Sequence, residues 1–261
     1  MRPAFRALFL PLLLTVLFAG SASAAEPQSV SVGGYVFPPF VEYGPESGWT
    51  GLTIDLIAAL NASQEQYDFE FFPTSATRRY HDFVNGRFDM LFFESPHWGW
   101  KNQLIVSLPG PRVGGEVFIA AAQPGRGQDY FVSLHGKRIA LFSGYHYAFA
   151  GYNSNKNYLR QTHNAIITFS HESSMQMVLR NRVDLAVIPQ GFLQRYLDGQ
   201  PEYRSQLLIS AKPDQYYRHI LIKRESSEPR LSELASLLKR LDEEGTMQEL
   251  LARHGLLIFE E

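Results

Sequence analysis

Asn85-Gly86-Arg87-Phe88-Asp89-Met90-Leu91-Phe92-Phe93 joins a turn-forming pair to an apolar run, which predicts a tight turn feeding a strand buried on both faces. Such a strand belongs in the middle of a sheet covered by helices. Upstream, Val30 to Val36 reads as a first strand, and Leu52, Leu56, Ile57 and Leu60 recur at helical spacing from Thr53 onward. Tyr67 to Phe72 alternates as a second strand and Thr77 to Asn85 is helical. Strand, helix, strand, helix, strand is the pattern of an α/β fold with a mostly parallel sheet.

Downstream, Val117 to Ala122 reads as another strand and runs into the breaker cluster Gln123-Pro124-Gly125-Arg126-Gly127. A second α/β series follows: strand Arg138 to Phe142, a turn at Gly144, a helix around Ala148 to Leu159, strand Ala165 to Phe169, helix Glu172 to Arg180 and strand Val183 to Ile188. Arg180-Asn181-Arg182-Val183-Asp184 repeats the turn-former, Arg, apolar, Asp order of residues 85–89, so two similar lobes are expected. Tyr216 to Lys223 reads as a further strand. Leu231, Leu234, Leu238 and Leu241 then mark a helix up to a break at Gly245, and Thr246-Met247-Gln248-Glu249 reads as a capping box opening a last helix that stops at Gly255.

With 45% hydrophobic and 19% charged residues, the 261-residue chain has the profile of one large or two small globular domains. A net charge of −2 lacks the basic stripe of a nucleic-acid binder. Arg2 and Arg6 precede an apolar run from Ala7 to Ala19 and the small residues Ala22-Ser23-Ala24, so residues 1–24 read as a secretory signal peptide cleaved after Ala24. The absence of cysteine excludes a disulfide framework, a thiolate nucleophile, a Cys-based zinc site and a lipid-modified N-terminal Cys. An exported chain without such an anchor suits the bacterial periplasm. The eight His are scattered, and no nucleophile elbow, phosphate loop or metal-binding helix motif is present, so no metal, cofactor or catalytic residue is expected.

The order of several motifs resembles the family 3 extracellular solute-binding proteins, which mostly serve amino-acid ABC transporters. These motifs are Tyr35-Val36-Phe37-Pro38-Pro39-Phe40, Gly48-Trp49-Thr50-Gly51-Leu52-Thr53-Ile54-Asp55-Leu56, Gly86-Arg87-Phe88-Asp89, Leu134-His135-Gly136-Lys137-Arg138-Ile139-Ala140 leading to Gly144, Arg182-Val183-Asp184-Leu185-Ala186-Val187, and a terminal helix ending near Gly255. The resemblance implies a bilobed type II periplasmic-binding fold, two α/β lobes joined by a two-crossing hinge, with a ligand in the cleft between them. Residues 25–120 and 219–261 would form the first lobe and residues 121–218 the second, the chain crossing near 120–123 and 213–218.

In open α/β sheets ligands collect beyond the carboxyl ends of the strands, which makes Phe37 and the loop Glu94-Ser95-Pro96-His97-Trp98-Gly99-Trp100-Lys101 candidate cleft residues, with Glu94, Ser95 and Trp98 foremost. In the second lobe Ser143, Gly144 and Tyr145 form a strand-to-helix turn, read either as a backbone anion site for a ligand carboxylate or as an ordinary capped helix start. The sequence departs from the family at both usual amino-acid anchors. Lys101 stands where the resemblance implies a carboxylate-binding Arg and lacks the planar fork, leaving Arg78 or Arg112 as a substitute cation. Pro189, followed by Gln190, stands where it implies an ammonium-binding Asp, with Glu94 as a displaced acid.

The resulting expectation is a monomeric periplasmic receptor that captures a small polar solute, an amino acid or derivative, and delivers it to an inner-membrane ABC permease. A sensory or regulatory binding protein is the alternative on the same fold. A cyclohexadienyl-dehydratase-like enzyme is a third reading and would need a general acid, for which Glu94 and Glu172 are the nearby carboxylates.

Overall fold

In the computed structural model, which describes residues 26–256 and Ile258, the chain begins with β1 (Gln28–Gly34), the short hairpin β2 (Glu42–Gly44) and β3 (Gly48–Thr50), and α1 (Leu52–Ser63). Next come β4 (Tyr67–Pro73), α2 (Arg79–Val84), β5 (Met90–Glu94) and β6 (Val106–Pro109). The middle of the chain forms β7 (Gly115–Ala121), β8 (Ile139–Phe142), α3 (Lys156–His163), β9 (Ala165–Thr168), α4 (His171–Leu179), β10 (Leu185–Pro189) and α5 (Gln190–Gly199). Then follow β11 (Leu207–Ile209), β12 (Gln215–Tyr216), β13 (Ile220–Lys223), α6 (Leu231–Glu243) and α7 (Thr246–Arg253). The expected signal peptide and its cleavage point after Ala24 lie outside the described residues.

Two five-strand paths, β4-β1-β5-β13-β6 and β9-β8-β10-β7-β11, build the two lobes, and β12 adds to β7 at the side of the second. Their internal logic is the same. In each path the first three strands are parallel and the fourth is antiparallel to the third. The expectation of mostly parallel sheets therefore holds for one half of each sheet; the antiparallel half arises where a strand enters from the other lobe. All five residues of β5 and all seven of β7 are buried, as central strands require.

This topology moves the first expected crossing. β7 pairs along its length with β10 and β11 of the second sheet, so the chain changes lobe within residues 110–114 and not at 120–123; the Pro124-Gly125 breaker ends β7 instead of opening the lobe. The single strand expected over Tyr216 to Lys223 is two strands in different sheets, and Tyr217, Arg218 and His219 carry the second crossing. His219 ties the crossings together, its ring nitrogens lying 3.0 Å from the Phe93 carbonyl and 3.1 Å from that of Val113.

Local chemistry explains two smaller differences. The helix expected around Ala148 to Leu159 breaks after a 3-10 turn at Ala148–Ala150, because Gly151 and Tyr152 adopt left-handed backbone (φ 61° and 59°) and Asn155 caps α3 by accepting from the amides of Asn157 and Tyr158. Gly245, at φ 80°, precedes α7 and Thr246 is already helical, so the expected Thr246 to Glu249 box is not made. Glu233 instead accepts from the Arg230 amide at the start of α6, at 3.0 Å.

Candidate functional site

The loops after β1 and β5 face the turn after β8 across the cleft, and the lobes meet there in a closed arrangement. Buried apolar packing runs continuously from Phe37 and Trp98 of the first lobe to Tyr145 and Tyr147 of the second. Tyr145 Oη donates to the Val36 carbonyl at 2.9 Å and Trp98 Nε1 to Gln215 Oε1 at 3.4 Å. Tyr80 Oη lies 2.8 Å from His146 Nε2. At the rim Arg195 pairs with Glu42 at 2.6 Å.

Between the lobes remains a cavity of about 10 Å³, roughly the room one water molecule occupies. Tyr35, Phe37, Arg79 and Trp98 line it from the first lobe. Glu116, Gly144, Tyr145 and His146 line it from the second.

Helix phase decides which arginine enters the cleft. Arg79 and Phe83 lie one turn apart on the buried face of α2, whereas the Arg78 side chain is 67% exposed and pairs with Asp82 at 3.6 Å. Arg79 is sandwiched over the rings of Tyr35 and Tyr80, at 4.7 and 4.3 Å. Its Nη1 donates to the carbonyls of Ala76 and, at 3.5 Å, Gly144. Its Nε stands 3.2 Å from Glu94 Oε1, in an alignment that leaves both atoms without a hydrogen bond. Glu94 Oε2 accepts from Trp100 Nε1 at 2.7 Å. Burial opposes the charge on Arg79, yet Glu94 holds its pKa above the usual value; burial raises the Glu94 carboxyl although Arg79 opposes the shift.

Phe37 sits among aromatic rings. It stacks on Phe40 at 4.8 Å and meets Tyr217, Trp98 and Tyr145 in T-shaped contacts at 5.2, 5.4 and 5.6 Å. The Tyr217 hydroxyl is buried beside Glu116, on whose ionisation it acts as a hydrogen-bond donor.

The second lobe contributes acids. Glu116, at the start of β7, is 1% exposed, and its Oε2 accepts from Gln215 Nε2 at 2.7 Å. Burial, reinforced by the like charge of Asp214, pushes its carboxyl well above the ordinary range. Asp214 accepts from the amides of Ala148 and Phe149 at 2.8 and 2.9 Å, and burial raises its pKa as well. His146 Nδ1 donates to the Tyr152 carbonyl at 2.7 Å. Burial, aided by Arg79, lowers the His146 pKa to about 4.

Of the residues expected from sequence, Phe37, Trp98, Gly144 and Tyr145 line the cavity, and Glu94 lies behind it as the partner of Arg79. Ser95 and Ser143 are buried but stand outside the lining; Ser95 Oγ accepts from the His97 amide at 3.3 Å and Ser143 Oγ has no hydrogen-bond partner. Three expectations are corrected. Arg78 points to solvent and Arg79 takes the cleft. Lys101 is exposed in the 3-10 turn Trp100–Asn102, because the neighbouring Trp100 takes the inward position. Gln190 is half-buried with its side chain toward Gly115, outside the cavity lining. The turn read as a backbone anion site presents no helix start at Ser143 to Tyr147, and the amides that follow it are capped by Asp214. Glu116 was missed; its one signal is an acid heading an otherwise apolar run.

The sequence profile of the family described as "ABC transporter, phosphonate, periplasmic substrate-binding protein" matches residues 123–261, more than half of the chain. No curated protein matches the sequence. Among solved structures, the chain resembles a histidine kinase sensor domain similar to periplasmic binding proteins, with a TM-score of 0.69 and 17% identity over 90% of this chain and 99% of that one. An ancestral arginine-binding protein bound to arginine superposes with a TM-score of 0.64 and 16% identity over 86% and 97% of the two chains. The GluR0 ligand-binding core in complex with L-glutamate gives 0.65 and 18% over 88% and 98%. At such identities these structures establish the bilobed fold alone.

Proposed function

Because the chain belongs to the family of phosphonate ABC-transporter periplasmic substrate-binding proteins, we propose that it is a solute receptor that closes on a small polar solute, an amino acid or a derivative of one, and hands it to an inner-membrane permease. The mature protein begins after Ala24 and acts as a monomer in the periplasm. Its first lobe comprises residues 26–109 together with 220–256, and its second residues 115–216. Capture is reversible and needs no covalent step.

The observation that carries this reading is a buried cavity walled by both lobes, with the ionisable side chains Arg79 and Glu116 at its surface. A solute bridging those walls favours the closed form by the difference between its affinities for closed and open states. The test is the melting of the mature protein against amino acids, organic acids, amines and 2-aminoethylphosphonate. At about a hundredfold excess over Kd a ligand adds about 2.7 kcal/mol of stability. A compound that raises the melting temperature and binds with one-to-one stoichiometry by calorimetry supports the receptor; no response from any class overturns it.

The sensor reading draws on the histidine kinase sensor domain, almost all of which aligns with this chain. Uptake separates the two roles. Cellular import of the binding compound that stops when the gene is deleted identifies a transport receptor, and unchanged import identifies a sensor.

A further inference from the structure

We propose that the cleft recognises a small organic cation, an amine of amino-acid size without a free carboxylate, with Glu116 as its counter-charge. This rests on the receptor reading above and names the class of solute.

The two cationic or amide features that the cleft could offer an anion are each taken by a carboxylate of the chain itself. Arg79 has Glu94 at 3.2 Å. The adjacent amides of Ala148 and Phe149 are held by Asp214. A ligand carboxylate or phosphonate would have to displace one of these acids and leave it buried without its partner, which is strongly unfavourable.

Glu116 is in the reverse position. It lines the cavity and accepts a neutral hydrogen bond from Gln215. The charge acting on its ionisation is that of Asp214, of its own sign, beside the neutral hydrogen-bond donors Gln215 and Tyr217. An entering ammonium supplies the missing charge. The walls suit the same guest: T-shaped contacts around Phe37 place ring edges on π faces, and a cation is a stronger guest for such faces. The Tyr217 hydroxyl, in ring contact with Phe37 and Trp98 and acting as a hydrogen-bond donor on Glu116, keeps its oxygen lone pairs as a further acceptor. The closed cavity has room for a group of about the size of water, hence for an ammonium head; a larger remainder is accommodated by displacing Phe37 or by closing less far.

The experiment is calorimetry on the mature protein with matched probes: phenethylamine against phenylalanine and 3-phenylpropionate, cadaverine against lysine, and 2-aminoethylphosphonate. At least one amine is expected to bind at least about tenfold more tightly than its carboxylate-bearing counterpart, a difference of about 1.4 kcal/mol, and 3-phenylpropionate is expected not to bind. Glu116→Gln is expected to weaken the amine at least about tenfold while Glu116→Asp retains part of the affinity, with melting curves confirming that both variants fold. An amino acid binding as tightly as its amine, tighter binding of 2-aminoethylphosphonate, or an unchanged amine affinity in Glu116→Gln overturns the cation proposal and leaves the receptor reading standing. Silence from every probe overturns both.

Discussion

Gly191 is a point where the backbone of helix α5 of the second lobe packs closely on the first, and Gly191→Ala tests lobe closure with little disturbance of either lobe alone. A Cβ at this position lies 2.9 Å from Pro39 Cδ and 3.0 Å from Pro39 Cγ, inside ordinary van der Waals contact by several tenths of an ångström. The proline ring cannot rotate out of the way as a flexible side chain would. Within its own helix the substitution is favourable, since Ala exceeds Gly in helix propensity by up to about 1 kcal/mol. Across the cleft it is overpacking, which costs about 1 to 3 kcal/mol and corresponds to a shift of the closed-to-open ratio by roughly 5-fold to 150-fold. The native chain has no cysteine, so spin labels at Glu46→Cys on the first lobe and Gly199→Cys on the second report the interlobe distance without background. The expected result is a longer-distance population that grows in Gly191→Ala, with melting of the ligand-free protein unchanged or raised. An identical distance distribution in variant and parent, with and without phenethylamine, refutes the contact as a closure contact.

Glu116→Gln is expected to raise the melting temperature of the ligand-free protein at pH 7.5: the folded-state pKa of Glu116 is raised, so its stabilising contribution is complete below the unfolded carboxyl value and lost as pH rises through the folded one. The gap between variant and parent therefore closes as the pH is lowered toward the unfolded value, and a gap independent of pH argues against the assignment. Arg79→Met should destabilise the protein by about 3 to 5 kcal/mol in urea denaturation because it strands Glu94, whereas Arg79→Met with Glu94→Leu should recover much of the loss; additive losses would count against a coupled pair. Burial lowers the pKa values of His146 and His219 to about 4 and that of His171 to about 3, so their contribution is present above the unfolded value and lost as pH falls toward 4. A smaller loss of urea resistance between pH 7 and 4.5 in His219→Gln than in the parent is the expected outcome, and equal losses would remove His219 from the account.

Much of the fold was legible because its signals are local. The turn and apolar run at residues 85–93 and the echo at 180–184 each place a buried strand after a helix, and β5 and β10 stand where those runs predict. The misplaced crossing has a different origin. Nothing in the sequence around Val117 says that β7 inserts antiparallel between β10 and β11, a choice made by pairing with residues 67 and more positions away. The site divides in the same manner. Phe37, Trp98, Gly144 and Tyr145 follow strand ends and were legible from that alone, while the choice between Arg78 and Arg79 needed the phase of α2, available in principle from Phe83 four residues on. The capping of Ala148 and Phe149 by Asp214 joins residues 66 and 65 positions apart and has no local trace.

Both amino-acid anchors implied by the family resemblance are missing from their positions, yet charges of the same signs stand close by on other elements. Glu116 is the direct ladder partner of Pro189 across β7 and β10, so an acid faces the cleft from the strand beside the one where an Asp was implied. The cation has moved from the loop after β5 to α2, as Arg79. Relocation by itself would preserve the recognition of a zwitterion. What changes it is the pairing: Glu94 arrives with Arg79, and Asp214 arrives with the amides beyond the Gly144 turn. Each positive feature of the cleft thus carries its own carboxylate, Glu116 carries no counter-charge, and the sum that a solute must complete is that of a cation.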